Sequence, residues 1–377
     1  MVVAGEASGD LHAASVVRAM KAQHPGLTFY GMGGKHMAKA GVDVRWDIDA
    51  MAVMGLVEVL AELPTLYKTF LKVKRDIQRH PPDLLLLVDY PDFNLRLAKA
   101  AKRAGVKVLY YISPQVWAWR SGRVKKIRRY VDHMAVIFPF EVPFYQRAGV
   151  PVSFVGHPLL DHPRAEGMPK GPGKTVGLFP GSRRQEIRHM LPLFQEAAGL
   201  IAERHPETQF LLPLASTLSR GDVLPYLKSD PPVQVVFGGG QRVIPLCDAI
   251  ITASGTATLE IALHGVPMVI AHRVSRLSYL LLKRLVKVEH IGLCNLVAGE
   301  SVAPELIQDQ ATPEAIAEAL LSLVSRAEET RRGLQRVRAR LGEPGAAERV
   351  ASLALEMAGA KAKSASSASR GISPITT

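Results

Sequence analysis

The stretch Val176-Gly-Leu-Phe-Pro-Gly-Ser-Arg-Arg-Gln-Glu-Ile187 predicts a strand, a tight turn and the first turn of a helix. Val176 to Phe179 is a short apolar run, typical of a buried strand, and Pro180 to Ser182 are turn formers. Backbone N–H groups at a helix N-terminus favour an anion, and Arg183 or Arg184 adds a forked donor for phosphate oxygens. We therefore hypothesise that this turn holds a nucleotide diphosphate. The alternative is an ordinary strand–helix connection with two solvated arginines.

The composition is that of a globular protein with an excess of positive charge. At 377 residues the chain is long enough for two domains, and 47% hydrophobic with 21% charged residues supports a sizeable core. The net charge of +13 favours anionic partners: phosphate-bearing small molecules, nucleic acid or an anionic membrane surface. Cys247 and Cys294 lie in apolar contexts and indicate buried thiols in a reducing compartment. The sequence contains no metal-ligand spacing, bilayer-spanning run or signal peptide, so we expect a cytoplasmic protein, soluble or peripherally attached to a membrane, without a metal or other cofactor.

Two strand ends in the first half carry carboxylates. The stretch Gly5 to Asp10 is predicted to be a loop between the first apolar strand and a helix from Leu11 to Gln23, and it brings Glu6, Ser8 and Asp10 to the carboxyl end of that strand, where α/β sheets bind ligands. A second strand, Leu27 to Tyr30, is predicted to lead into another loop, Gly31 to Gly34. Leu84 to Val88 is a continuously apolar strand, and Asp89 comes where it ends. A carboxylate there is partly shielded from water, which raises its pKa and suits a general base. At both strand ends the alternative is that the polar side chains cap the following helix.

A loop with two tryptophans follows the strand Val106 to Ile112. Trp117 and Trp119 stand two residues apart in Ser113-Pro-Gln-Val-Trp-Ala-Trp-Arg120, outside any clear helix. Because aromatic faces stack on sugars or apolar chains, we interpret this stretch, including Arg120, as a binding loop.

Two segments are candidates for contact with lipid. Met51 to Leu60 is apolar nearly all round, and flexible side chains such as Met51 and Met54 suit irregular partners. Arg276 to Lys287 brackets apolar residues with basic ones, as helices on membrane surfaces do. For each segment the alternative is packing in the protein core.

The second half repeats the α/β alternation after a stretch rich in Pro and Gly. The strand Ala249 to Thr252 leads to the turn Ser254-Gly-Thr256, a second anion site of small residues. Glu260 falls one turn into the next helix, where a carboxylate can accept both hydroxyls of a ribose. The alternative is that Glu260 offsets the helix dipole.

These features predict an α/β protein of two Rossmann-like domains facing a cleft, with parallel sheets covered by helices, the architecture of GT-B glycosyltransferases. Both phosphate-type turns lie in the second half, which would bind a nucleotide-sugar donor, and the first half would hold an acceptor and a base. The expected parts are an N-terminal domain (1–163), a linker (164–174), a C-terminal domain (175–345), a C-terminal helix (346–360) crossing back to the N-terminal domain or to a partner, and a disordered tail (361–377).

Several motifs along the chain carry a more specific resemblance. They are Gly5-Glu-Ala-Ser-Gly-Asp10, Val53-Met-Gly-Leu-Val-Glu-Val-Leu60, Asp89-Tyr-Pro-Asp-Phe-Asn94, Ser113-Pro-Gln-Val-Trp-Ala-Trp-Arg120, Gly156-His-Pro158, Pro180-Gly-Ser-Arg183, Ala253-Ser-Gly-Thr-Ala-Thr-Leu-Glu260 and Asn295-Leu-Val-Ala-Gly299. On these motifs the chain resembles the lipid-A-disaccharide synthase family from Val2 to about residue 355. The tryptophan motif is the most specific, whereas the two glycine-containing turns of the second half also occur in other nucleotide-sugar enzymes. Tyr90 stands where some relatives have Ala.

The resemblance implies a reaction and a setting. Family members join UDP-2,3-diacylglucosamine to 2,3-diacylglucosamine 1-phosphate, with inversion at the anomeric carbon and without a bound metal, and release the β-1,6-linked disaccharide and UDP. They are peripheral proteins of the Gram-negative inner membrane and act in lipid A biosynthesis. They can form dimers that exchange C-terminal segments, for which residues 346–358 are the candidate here.

The resemblance also implies residue roles. Asp89 matches the family's candidate base, with Glu6 as a second candidate, and Arg183 matches its essential arginine. Glu260 would bind the ribose. The remaining candidates for UDP or substrate binding are Ser8, Gly181, Ser182, Ser254, Gly255, Thr256 and Asn295, and those for the acceptor or lipid are Met51, Met54, Trp117, Trp119 and Arg120.

Three other functions compete with this interpretation. A UDP-N-acetylglucosamine 2-epimerase or a peptidoglycan glycosyltransferase would share the architecture but would not need the tryptophan loop. A basic nucleic-acid-binding protein fits the charge, but no recognised module supports it, and we expect no nucleic acid partner. A catalytically silent lipid-binding module would bind lipid without turnover.

Overall fold

The computed structural model describes residues 1–48, 56–117, 121–161, 174–215, 217–274 and 289–359, with side chains described except at 56–63 and 121. Several sequence predictions concern residues outside these ranges. They are those for Met51, Met54, Trp119 and Arg120, for the basic stretch 276–287, for the linker up to residue 173 and for the tail 361–377.

The described chain forms two compact units. The first contains the described residues of 1–161 and 344–359, and the second contains the described residues from 174 to Glu343. The strands of the first unit are β1 (Val2–Ala4), β2 (Tyr30–Gly33), β3 (Asp43–Asp47), β4 (Leu84–Val88), β5 (Lys107–Tyr111), β6 (His133–Val136) and β7 (Val152–Phe154). Its helices before the second unit are α1 (Ala7–Gln23), α2 (Lys35–Lys39), α3 (Leu56–Arg79), α4 (Pro91–Arg103), α5 (Val124–Tyr130) and α6 (Glu141–Arg147).

The first sheet is parallel, in the order β3-β2-β1-β4-β5-β6-β7. All five residues of β4 are buried, as expected for a parallel strand covered by helices on both faces. The strand order reverses between β1 and β4, where Ala4 pairs with Val88. The residues that follow these strands, 5–6 and 89–90, therefore lie side by side at the position where such sheets bind ligands.

The second unit repeats this arrangement. Its strands are β8 (Thr175–Phe179), β9 (Gln209–Leu214), β10 (Val233–Phe237), β11 (Ala249–Ala253), β12 (Met268–His272) and β13 (Glu305–Ile307). Its helices are α7 (Arg184–Arg204), α8 (Arg220–Val223), α9 (Gly240–Val243), α10 (Ala257–Leu263), α11 (Leu293–Ala298), α12 (Pro313–Ser325) and α13 (Ala327–Arg340). The sheet is parallel, in the order β10-β9-β8-β11-β12-β13, and Phe179 pairs with Thr252 where that order reverses. The turns after β8 and β11 are therefore neighbours at the ligand-binding position of this sheet.

The last described helix, α14 (Ala346–Ala358), packs on α1 of the first unit. The Asp161 carboxylate accepts hydrogen bonds from the backbone N–H groups of Gly345 (2.7 Å) and Ala346 (3.2 Å) just before and at the start of this helix. The guanidinium of Arg349 donates to the backbone oxygen of Val155 at 2.7 Å. These contacts hold α14 against the first unit.

Two local predictions were wrong. The sequence predicts that α1 begins at Leu11, whereas it begins at Ala7, so Ser8 and Asp10 lie within the first turn of a helix. The sequence also predicts a loop from Gly31 to Gly34, but β2 continues through Gly33. Gly31 is needed there because a Cβ atom on it would lie 1.8 Å from the backbone oxygen of Val2 on β1. Its role is thus a close approach of two strands.

Within the described ranges, no cluster of three or more His, Cys, Asp and Glu side chains is arranged to hold a metal ion. No helix in that part of the chain is long and apolar enough to cross a bilayer. Cys247 and Cys294 are both buried, as their apolar contexts predict.

Candidate functional site

The carboxylates predicted at the first strand ends lie close together in the structure. Glu6 immediately precedes α1 and is exposed, whereas Asp89 is half-buried at the end of β4. Burial, together with the negative charge of Glu6, raises the pKa of Asp89 to about 6, although a hydrogen bond from the Tyr90 N–H opposes this shift. Asp89 is therefore ionised at neutral pH and holds a proton more tightly than an exposed carboxylate does. These properties suit a general base.

The backbone at Asp89 is in an unusual conformation. Asp89 and Tyr90 have φ values of 47° and 49°, in the left-handed region that non-glycine residues seldom adopt. The backbone oxygen of Asp89 accepts hydrogen bonds from the Tyr110 hydroxyl (2.6 Å) and the Asn94 amide (2.7 Å). The backbone N–H of Asp89 donates to the backbone oxygen of Tyr111 at 3.0 Å. These three bonds hold a conformation that costs about 1–3 kcal/mol per residue, a feature that clusters at functional sites.

Sequence analysis missed Asn94 and Tyr110 as members of this site. Both side chains are fully buried, and Asn94 also donates to the backbone oxygen of Val88 at 3.2 Å. The signal for Asn94 was its place as the last residue of the motif that begins at Asp89. Tyr110 carried no such signal, because it lies within a strand where a buried aromatic residue is ordinary.

Helix capping, the alternative role for these polar residues, is not observed at either strand end. Neither α1 nor α4 has a side-chain cap, and the residues at the capping positions are Glu6 and Tyr90. Asp10 instead accepts hydrogen bonds from the N–H groups of Gly34, His36 and Met37 and so caps α2. Ser8 is exposed in the first turn of α1, near the position that the sequence predicts for ligand contact.

The turn at Pro180 to Arg183 differs from its predicted form. The Glu186 carboxylate accepts hydrogen bonds from the N–H groups of Ser182 (2.8 Å) and Arg183 (3.1 Å). Gly181 has a φ of 120°, and a Cβ atom on it would lie 2.2 Å from a Glu186 oxygen. Two of the backbone donors that we expected to be free for phosphate are thus occupied by the protein's own carboxylate, as in a capping box.

The two arginines of this turn are not equivalent. Arg184 pairs with Asp222, with 2.8 Å between its Nε and a carboxylate oxygen. Arg183 is exposed and forms no ion pair with any residue in the described ranges. The Thr217 hydroxyl donates to the backbone oxygen of Ser182 at 2.8 Å, and this hydrogen bond stabilises the turn. Arg183 is therefore the guanidinium available to an anionic ligand.

The turn after β11 is more open than the turn after β8. A Cβ atom on Gly255 would meet nothing within 4 Å, and Thr256 is exposed. The Ser254 hydroxyl donates to the backbone oxygen of Ile291 at 2.8 Å. Glu260 has no hydrogen-bond partner among the described residues, and burial raises the pKa of its carboxyl group. A carboxylate that is partly desolvated and still has its acceptor oxygens available is suited to bind two hydroxyl groups.

Asn295 is placed differently from the ligand contact expected from the sequence. It is fully buried, and its amide donates to the Ala303 oxygen (2.8 Å) and to Glu305 (2.7 Å). Its amide oxygen accepts from the N–H groups of Val302 and Ala303. Because all of its hydrogen-bonding capacity is used within the protein, this geometry fits a positioning role better than direct contact.

Glu305, which sequence analysis missed, connects Asn295 to the turn after β11. Its carboxylate also accepts from the N–H groups of Ile291 (2.8 Å) and Gly292 (3.0 Å). Ile291 in turn accepts the hydrogen bond from Ser254. Asn295 and Glu305 therefore hold the segment against which the Ser254 turn rests.

Comparisons with known proteins agree with this arrangement. The family model described as Lipid-A-disaccharide synthetase matches residues 1–357. A relative from Geobacter metallireducens named lipid-A-disaccharide synthase is 56% identical over 375 residues, which cover 96% of this chain and 97% of the relative. Similar solved structures include a UDP-N-acetylglucosamine 2-epimerase from Neisseria meningitidis bound to UDP-N-acetylglucosamine (TM-score 0.62, 12% identity, 94% and 98% of the two chains) and the glycosyltransferase of kitacinnamycin (TM-score 0.61, 14% identity, 94% and 98%). At these identities the structural likeness concerns the fold alone, and it confirms the prediction of two Rossmann-like domains of the GT-B type with parallel sheets covered by helices.

Proposed function

This chain belongs to the lipid-A-disaccharide synthase family, and we propose that it is an inverting hexosyltransferase of lipid A biosynthesis. Its donor is UDP-2,3-diacylglucosamine and its acceptor is 2,3-diacylglucosamine 1-phosphate. The products are the β-1,6-linked disaccharide 1-phosphate and UDP. The observation that carries this proposal is a sequence identity above one half that extends along nearly the full length of a relative with that name.

In this proposal Asp89 is the general base. Its carboxylate takes the proton of the acceptor 6-hydroxyl while that oxygen attacks the anomeric carbon of the donor, and the bond from that carbon to the UDP oxygen breaks. A single in-line displacement of this kind inverts the anomeric centre. The raised pKa of Asp89 improves its match to an alcohol, and the bonds from Tyr110 and Asn94 support its placement. Glu6 contributes negative charge that strengthens the base.

Arg183 stabilises the leaving group. The departing UDP gains negative charge as the glycosidic bond breaks, and a guanidinium can contact two phosphate oxygens at once. The exposed position of Arg183, next to a turn already closed by Glu186, supports this role. The reaction then needs no metal ion to neutralise the diphosphate.

The turn at Ser254 to Thr256 and Glu260 bind the rest of the donor. Glu260 accepts hydrogen bonds from the two ribose hydroxyls, and the small residues of the turn allow the diphosphate to approach the backbone. The likeness of the fold to that of an epimerase bound to UDP-N-acetylglucosamine supports a UDP-sugar as the ligand class. Asn295 acts through the segment that supports this turn.

The first unit meets the acylated acceptor and the membrane surface. Trp117 would contribute an aromatic face there, together with Met51, Met54, Trp119 and Arg120 from outside the described residues. The exposed side chains of Lys125, Lys126, Arg128 and Arg129 on α5 fit an anionic surface, so we expect a peripheral protein on the cytoplasmic face of the inner membrane and no nucleic acid partner. In a dimer with exchanged C-terminal segments, the contacts of α14 with α1 and Asp161 would form between two chains.

Incubation of the purified protein with both acylated substrates tests the proposal. Mass spectrometry should find UDP and the disaccharide 1-phosphate in equal amounts. UDP-N-acetylglucosamine, offered alone, serves as the control and should remain unchanged. Conversion of that control sugar to its 2-epimer, or failure to form a disaccharide from the acylated pair, would contradict the assignment.

A further inference from the structure

A carboxyl group that the proposed reaction does not use lies beneath the tryptophan loop. Glu141, the first residue of α6, is only 1% exposed. One of its carboxyl oxygens accepts a hydrogen bond from the indole N–H of Trp117 at 3.2 Å, and the other accepts from the backbone N–H of Phe138 at 3.1 Å. Glu141 therefore links the loop after β5 to the chain segment after β6.

The Trp117 ring is also held from a second side. It meets the ring of Phe140 edge-on, with 4.8 Å between centroids, and Phe140 stacks on Phe138 at 5.2 Å. An edge-on contact and a hydrogen bond to the indole nitrogen together restrict both the tilt and the rotation of the ring. The orientation of Trp117 is thus defined by residues that follow β6.

The start of the same loop is strained. Ile112 has a φ of 64°, which is a genuine outlier for a β-branched residue. The next residue, Ser113, shares a hydrogen bond of 2.7 Å with the hydroxyl of Tyr145 on α6, and the Ile112 N–H donates to the Ala135 oxygen. Strain of this kind persists only where the surroundings determine the conformation, and it clusters at functional sites.

A buried carboxyl group is costly, which argues against a role in packing alone. Burial raises the pKa of Glu141 to about 8, so the fold pays to keep this group away from water. An apolar residue of similar size would fill the same space without that cost. What an apolar residue could not do is accept the Trp117 and Phe138 N–H groups together.

We propose that Glu141 is a positioning residue that fixes the Trp117 ring for recognition of the acceptor. It acts through Trp117 and does not touch the reacting atoms. This inference rests on the proposed function, because it takes the acceptor to be the ligand of the tryptophan loop. It predicts that loss of the Glu141–Trp117 hydrogen bond weakens acceptor binding and spares the donor.

Steady-state kinetics of Glu141→Leu, Trp117→Phe and the double variant test this prediction. Each single variant should raise the KM for the acceptor roughly tenfold, with kcat and the KM for the donor changed less than about twofold. The double variant should be no worse than the poorer single variant, because both remove one interaction. Glu356→Leu, an exposed carboxylate of α14, is the matched control and should behave like the parent protein. Additive effects, or an unchanged acceptor KM in Glu141→Leu, would overturn the proposal.

Fluorescence separates a failure of this inference from a failure of the proposed function. Trp46, Trp117 and Trp119 are the three tryptophans of the chain, so a Trp46→Phe/Trp119→Phe background reports on Trp117 alone. In that background Glu141→Leu should shift the emission of Trp117 and increase its quenching by acrylamide. An unchanged signal would refute the contact whatever the enzyme does. A changed signal in a protein that makes no disaccharide would refute the proposed function, and the acceptor role of Glu141 with it, but not the contact.

Discussion

The turn after β4 and the turn after β8 each lie where the strand order of their own sheet reverses, yet they are stabilised in opposite ways. In the first, non-glycine residues adopt left-handed backbone and are held there by Tyr110 and Asn94. In the second, the positive φ falls on Gly181, and Glu186 satisfies the backbone donors. The first turn is strained and presents a carboxylate, whereas the second is relaxed and presents a guanidinium. The same type of sheet thus presents a carboxylate that can accept a proton in one unit and a guanidinium that can bind an anion in the other.

The largest expected effect is at Asp89. Asp89→Asn should lower kcat by about 10³-fold, because the amide cannot accept the proton of the acceptor hydroxyl. UDP binding, measured by calorimetry, should be unchanged because the proposed donor contacts lie in the second unit. If Asp89→Asn lost UDP affinity together with activity, the assignment of proton transfer to the first turn and of donor binding to the second unit would be wrong.

Arg183 is the corresponding test of the second turn. Arg183→Ala should lower kcat by roughly 10²-fold and weaken UDP binding, because a charge-assisted contact with the leaving group is lost. Arg184→Ala is the control, since Arg184 already pairs with Asp222. Equal losses in the two variants, measured by initial rates and UDP titration, would remove the distinction between these arginines.

The hydrogen bonds to the Asp89 backbone should matter for activity as well as for stability. Asn94→Ala should lower kcat about tenfold and destabilise the fold by about 1–3 kcal/mol, because buried backbone oxygens lose a donor and the left-handed conformation loses support. Tyr110→Phe removes the other side-chain donor and should act in the same direction. A lower melting temperature with an unchanged kcat in both variants would show that the hydrogen bonds to the Asp89 backbone contribute to stability alone.

The rate should depend on pH through the proton on Asp89. Because the base must be deprotonated and its pKa is raised to about 6, kcat/KM should fall about tenfold per pH unit below that value. Glu6→Gln removes a negative charge that raises this pKa, so the acidic limb of the plot of kcat/KM against pH should move to lower pH. Burial is the larger cause, so the limb should stay above the range of an exposed aspartate. A limb that does not move in Glu6→Gln would show that the two carboxylates are not coupled.

The smallest expected effect is at Glu186. Glu186→Ala should cost about 1 kcal/mol of stability, the usual contribution of a helix cap, because the N–H groups it frees at an exposed turn can bind water. Activity should fall much less than in Arg183→Ala. Thermal unfolding and initial rates measure the two effects, and a loss of activity as large as that of Arg183→Ala would give Glu186 a direct role in the reaction.

Much of the architecture could be predicted from local patterns. The apolar runs Leu84 to Val88 and Val176 to Phe179 predict buried parallel strands, and both are strands in the structure. The start of α1 was misplaced, because Ala7 to Asp10 contains glycine and polar residues that are typical of loops. β2 was predicted to end at Tyr30, where the observed strand begins, because Gly31 usually marks a turn. Only the neighbouring backbone of Val2 shows why the strand needs glycine there.

The sequence by itself determined which side chains follow which strands, because apolar runs set the strands and small residues set the turns. It therefore identified Asp89 and the Pro180 to Arg183 turn as neighbours of ligand-binding strand ends. Only the tertiary structure decided their chemical state. Tyr110, 21 residues from Asp89 along the chain, donates a hydrogen bond that supports the strained backbone. Asp222 forms an ion pair with Arg184, so Arg183 is the arginine available to a ligand. Hydrogen bonds and charge pairs depend on distance in space, and the spacing of residues along the chain does not report it.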